Sequence, residues 1–352
     1  MSEYDFIFGI RHFYAFNGFN LGITKNIHIR IILWIILVIN LLFINFIAIF
    51  HWSQTIENVT SIQNAIAKVE TFHYWFYYHA LVFKITPIGL LVSSLRNHLK
   101  ITEIRKCYYL SFGIPAWTII GVSINLLVID LSIENTEFLR QYLGLPDTAT
   151  YRSLTLAIKV FEYVKLGWFI TSDIIYLIIF YALFKAKANL LSSIRFNANR
   201  RLEIVSIQEA CKKISNLHSM FESTFSIFPF ITISYSFFTI GQDIYYMKSI
   251  SGNSSLARWL AFDSLSKITS SLALTVITNH LKLKLQNRAS DICGKIQADE
   301  KLEMSDKFVL MNEINTCVNL PITGWGMFVI DLSLILAFLS STVTFTILFI
   351  SD

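Results

Sequence analysis

Apolar residues along this chain gather into seven long runs set apart by polar segments: Ile31 to Trp52, Phe72 to Leu95, Tyr108 to Ile129, Val164 to Phe184, Phe221 to Ile244, Leu256 to His280 and Asn319 to Ile350. Each is long enough to cross a hydrocarbon core, which takes about 20 helical residues. Lipid offers backbone amides no partner, so a spanning segment must satisfy them within its own helix or within a closed barrel. The pattern predicts an all-α membrane protein with seven transmembrane helices. The sixth run carries Asp263 and Lys267, whose i,i+4 spacing lets them pair on one helix face. The last run exceeds one span and has Pro321, Gly324 and Gly326 near its start, which predicts a short helix followed by a spanning helix from about Asp331.

Two connections also carry helical periodicity. Ile207, Ala210, Ile214, Leu217 and Phe221 recur on one face and run into the fifth span. Leu285, Ile292 and Ile296, then Phe308, Met311 and Ile314, repeat the theme after the sixth. Such stripes need an apolar partner: the membrane surface, each other, or another subunit. Mutual packing is the expectation, because both lie on the same side.

That side follows from charge. Lys and Arg of short loops stay cytosolic. The N-terminal segment and the second, fourth and sixth connections hold 20 basic residues, against 5 in the first, third and fifth (Lys68, Arg140, Arg152, Lys159, Lys248) and none in the C-terminal tail. The N-terminus is therefore expected in the cytosol and the C-terminus outside. A G-protein-coupled receptor has the opposite orientation. The two N-x-Ser/Thr sequons, at Asn58 and Asn253, fall in predicted outer loops, where glycosylation occurs. All four cysteines (Cys107, Cys211, Cys293, Cys317) fall on or near the predicted cytosolic side, where thiols stay reduced. With 54% hydrophobic and 15% charged residues and a mean hydropathy of +0.54, no large soluble domain remains to be placed. The first run extends past a signal-peptide core and reads as a retained signal anchor.

The outer halves of the second to sixth spans are rich in aromatic and polar side chains. His73, Trp75, Tyr78, Trp168, Tyr235, Gln242, Trp259 and Asp263 are the candidate ligand contacts, since a small-molecule site has aromatic walls and few polar anchors. Trp and Tyr also collect at membrane interfaces for purely structural reasons. Lys84 and Asp173 lie at similar depth and are expected to pair structurally. Pro87, Pro115 and Pro229 fall within three of the spans.

In the last span Ala337, Ser341, Thr344, Leu348 and Ser351 form one small or hydroxylated face, suited either to a wetted pore or to close helix packing with hydroxyls bonded back to the preceding turn. The chain ends Thr344-Phe345, Thr346 to Ile350, Ser351-Asp352. This resembles the insect gustatory receptors, of the insect seven-helix chemoreceptor superfamily, whose chains end in Thr-Tyr, five apolar residues and Gln-Phe. The spacing is kept, while Phe stands for Tyr, Thr346 interrupts the apolar five and Ser-Asp replaces Gln-Phe.

The resemblance implies a tetrameric ligand-gated cation channel in the plasma membrane of sensory neurons, homomeric or built with related receptors and opened by a small-molecule tastant. Four copies of the last helix would line a central pore, with the inner ends of helices five to seven as a cytosolic anchor. It implies a cytosolic segment at 1–30, helices one to four with outer pocket walls at 31–184, helices five and six with the anchor at 185–330, and a pore-lining helix at 331–352. Leu348 is the candidate dewetting constriction, and Asp352 would contribute an acid ring that favours cations. A transporter remains the alternative, although no internal repeat is visible. An enzyme is not expected: no HExxH, CxxC or Gly-rich phosphate loop is present, and no cofactor or metal is implied.

Overall fold

The computed structural model describes residues 8–16, 18–19, 25–53, 61–111, 113, 175–194, 200–249 and 254–351. In chain order the elements are α1 (Phe8–Phe16), α2 (Ile27–Ser53), α3 (Ser61–His98), α4 (101–111), α5 (Ile175–Ser192), α6 (Arg200–Phe225), α7 (Ile227–Ser249), α8 (Ser254–Ala298), α9 (Met304–Val318), β1 (Thr323–Gly324), β2 (Phe328–Val329) and α10 (Leu332–Ser351). The fold is the seven-helix, all-α membrane plan. Among the described residues, Ile27–Phe46, Trp75–His98 and Ile175–Ser192 are long and apolar enough to span a bilayer by themselves.

Several helices outrun their apolar runs. The 38-residue α3 begins before the predicted span and continues through Pro87, while the 45-residue α8 extends past the sixth span into the next connection. The fifth span is broken: α6 ends at Phe225 and α7 begins at Ile227, with a turn at Ser226. Pro229 explains the position, because it has no N–H to offer the Phe225 carbonyl four residues back. Carbonyls near the break are taken by other partners. Lys84 Nζ donates to the Ser223 carbonyl at 2.7 Å. The expected partner of Lys84, Asp173, lies outside the described residues.

The stripe on α6 is buried as expected, with Ile207, Ile214 and Phe221 at 0% exposure. α9 packs against both α6 and α8, so the two stripes cover each other through this short helix. Its buried face agrees with the sequence reading at Ile314 and departs from it at Phe308. Leu310, Ile314, Cys317 and Val318 are buried, Met311 is half-buried and Phe308 is 75% exposed. All four cysteines are free, buried thiols.

The short helix expected before the last span is replaced by a β-hairpin. Thr323 pairs with Val329 and Gly324 with Phe328. Trp325 (φ 49°) and Gly326 (φ 72°) are both left-handed, and Met327 N–H donates to the Gly324 carbonyl at 2.9 Å. This is a reversed tight turn whose twist suits two antiparallel strands and whose backbone glycine tolerates. Asp331 then caps α10 by accepting from Ser333 N–H at 2.9 Å. The spanning helix begins where the sequence predicted.

Candidate ligand site and pore helix

Three helices bring their side chains together around Tyr235. His73 of α3 stacks on its ring with centroids 4.0 Å apart, and Lys267 Nζ of α8 sits 4.8 Å from the same centroid. Tyr77 extends the group one turn along α3, 6.3 Å from His73 and 5.2 Å from Phe228 of α7. His73, Tyr235 and Lys267 are all under 10% exposed. A cation over a ring face, largely out of water, is a strong arrangement. It gives aromatic walls and polar tips to the same small region.

Trp75 and Tyr78 are carried elsewhere. Trp75 Nε1–H donates to Asn45 Oδ1 of α2 at 2.8 Å, and its ring lies 4.3 Å from His79. Tyr78 is fully buried, hydrogen-bonded with Asn40 of α2 and 5.5 Å from Phe19. These two residues hold α2 to α3. Residue Trp168, the side chains of Gln242, Trp259 and Asp263, and the sequons at Asn58 and Asn253 lie outside the described residues.

α10 packs against α7 and α8 on one side. Leu334, Ile335, Ser341 and Thr342 are half-buried, whereas Leu336, Ala337, Leu339, Ser340, Val343, Thr344 and Ile347 are exposed. The Thr344 hydroxyl donates to the Ser340 carbonyl at 2.9 Å, which satisfies it within the helix. Ser341 therefore sits at the edge of the packed face and Thr344 on the open one. The side chains of Leu348 and Ser351, and all of Asp352, lie outside the described residues.

A polar network beneath the hairpin had no signature in the sequence. Glu222, just before the break in the fifth span, accepts from Thr323 N–H at 3.0 Å and from Thr323 Oγ1–H at 2.6 Å. Trp325 N–H donates to the Ser226 carbonyl at 2.9 Å, and the Trp325 ring lies 5.5 Å from Phe230 and 6.2 Å from Phe76. One turn below Glu222, His218 is bonded between Lys187 Nζ, 2.9 Å from its Nδ1, and the Pro321 carbonyl, 3.1 Å from its Nε2. An ammonium only donates, so Nδ1 accepts and Nε2–H donates to Pro321, which fixes the neutral tautomer. Burial, reinforced by the Lys187 charge, pushes His218 down to about 3. The network ties the C-terminal ends of α5 and α6 to the segment that leads into α10. Pairings more than 100 residues apart leave no local pattern to read.

No family model and no curated protein matches the sequence. Among solved structures, the chain is similar to the insect olfactory receptor OR5 from Machilis hrabei in complex with eugenol, with a TM-score of 0.70 and 12% identity over 97% of this chain and 96% of that one. It is equally similar to a second structure of the same receptor, with a TM-score of 0.70 and 11% identity over 97% and 95% of the two chains. At that identity the likeness speaks to architecture, and it extends across nearly the full length of both proteins. The chain has the fold of the insect seven-helix chemoreceptors.

Proposed function

We propose that this chain is a subunit of a ligand-gated, non-selective cation channel, acting as a gustatory-type chemoreceptor for small molecules. The observation that carries the reading is the open face of α10. It mixes Leu336, Val343 and Ile347 with Ala337, Ser340 and Thr344, whereas the exposed positions 31, 32, 34, 35, 39, 42, 46 and 49 of α2 are all large and apolar. A face meant only for lipid has no use for hydroxyls. A face shared between copies and water does.

Four copies would place Ser341, Thr344 and Leu348 around a common axis, with Leu348 as a dewetting gate and Ser351 and Asp352 as a polar, acidic outer ring. The ligand would enter from outside, where His73, Tyr235 and Lys267 offer ring faces and hydrogen-bonding tips to a sugar or an amphipathic bitter compound. Eugenol in the similar receptor is a compact aromatic compound of this kind. The setting is the plasma membrane of a sensory neuron, with glycans on Asn58 and Asn253.

Voltage clamp of cells expressing the chain, alone and with related receptors, tests the reading. An agonist-evoked cation current that persists when G proteins are blocked is the expected result. Ligand-dependent solute uptake without such a current would instead favour a transporter.

A further inference from the structure

Behind the hairpin a cavity of about 10 Å³, room for one water-sized particle, lies between α5, α8 and the segment leading into α10. Its polar lining side chains are Lys187, Thr278 and Lys282; the rest are Phe, Val, Leu and Ile, and no carboxylate lines it. Lys187 is 1% exposed. One of its three N–H groups goes to His218, and no ion pair within 4 Å is found for it among the described residues. Two acidic groups, Cys317 and then Glu222, act on it from a distance, and Glu222 accepts hydrogen bonds from Thr323.

Thr278 is also 1% exposed, and its Oγ1 has no hydrogen-bond partner among the described residues. The contrast with Thr275 is informative, because that hydroxyl bonds back to the Ser271 carbonyl at 2.8 Å on the same helix. A buried hydroxyl left unmade and a buried ammonium without a direct ion pair are each costly. Together they place donors at a small enclosed space with room for a single particle.

We propose that this cavity binds a small monovalent anion of the chloride class, held by Lys187, Lys282 and the Thr278 hydroxyl at the inner end of the helix bundle. A water could satisfy the hydroxyl but would place no opposite charge directly beside the ammonium. The anion does both. Its walls include Val329 and Ile330, so occupancy braces the strand that leads directly into α10.

Thermal unfolding of the purified full-length protein tests this independently of channel activity, with potassium chloride or bromide exchanged for gluconate at constant ionic strength. Chloride and bromide are expected to raise the melting temperature saturably, as ligands of the folded state do. Thr278→Val, which keeps the shape, should raise the half-saturating chloride concentration about tenfold. Lys282→Gln should weaken it too, and both avoid the bond between Lys187 and His218. Crystals grown in bromide should show anomalous density in the cavity. Equal melting temperatures in chloride and gluconate overturn the proposal, as does a chloride response unchanged by Thr278→Val or bromide found only elsewhere.

Discussion

The cytosolic anchor and the last spanning helix are built from the same residue types and treat them in opposite ways. In α6, α8 and α9 the Ile and Leu stripes are closed over: Ile207, Ile214, Ile296 and Ile314 are all at 0% exposure. On α10, Leu336 at 71% and Ile347 at 61% stand open. The solvent explains the difference. Outside the bilayer an exposed Ile costs hydrophobic free energy, so folding covers it. Within the bilayer, lipid tails are as apolar as Leu, and nothing drives such a side chain inward. Sequence alone shows how apolar a helix is, but not which medium will cover it.

Substitutions at four positions test that contrast, and the four buried thiols supply a reporter, since a thiol-reactive dye labels them only on unfolding. The largest effect belongs to the anchor. Ile314→Ala should cost roughly 2–5 kcal/mol, by lost transfer energy plus the cavity left behind, and labelling should begin at markedly lower temperature. An unchanged melting curve would mean that α9 is not held by apolar packing.

Next comes the clamp. Glu222→Ala strands Thr323 N–H and its hydroxyl, at a cost of about 1–3 kcal/mol, and Glu222→Gln should recover part of it. Proteolysis across the hairpin in both variants measures the loss, and equal resistance to wild type would show that the clamp is dispensable.

Acidity comes third. His218 is held neutral when folded and is free to protonate when unfolded, so its contribution to stability is complete above pH 6.5 and drains away as pH falls toward about 3. Acidification from pH 7 to 5 should therefore remove roughly 2 kcal/mol through this group, and His218→Gln should flatten that part of the melting-temperature profile. A mutant that loses stability as steeply as wild type would assign the acid sensitivity to other groups.

The smallest effect is expected at Leu336→Ala, within about 0.5 kcal/mol for the isolated subunit because the side chain is already open. Its consequence should appear in assembly, read by native mass spectrometry. A loss comparable with that at Ile314 would show that the open face is packed within the chain.

Much of this plan was legible in the sequence. The runs located the described spans, and the period of Ile207 to Phe221 identified a helix projecting from the fifth. What failed did so for identifiable reasons. α3 is apolar on several faces, so periodicity assigned no phase, and His73 went toward α7 while Trp75 and Tyr78 went toward α2. In α9 the reading held at Ile314 and failed at Phe308, which looked like core and stands outside. Pro321, Gly324 and Gly326 marked where the last run divides, but the left-handed conformation at Trp325 makes the first part a hairpin rather than a short helix, and no residue type announces that.

The bond between Trp325 and Ser226 fixes one end of a short leash, and Asp331 fixes the other. The length of that leash sets the rotation of everything beyond it. An inserted residue would turn α10 by about 100°, carrying Ser340 and Thr344 toward the neighbouring helices and bringing Ile335 to the outside. The hairpin thus acts as an index pin, and evolution can change its side chains far more readily than its residue count.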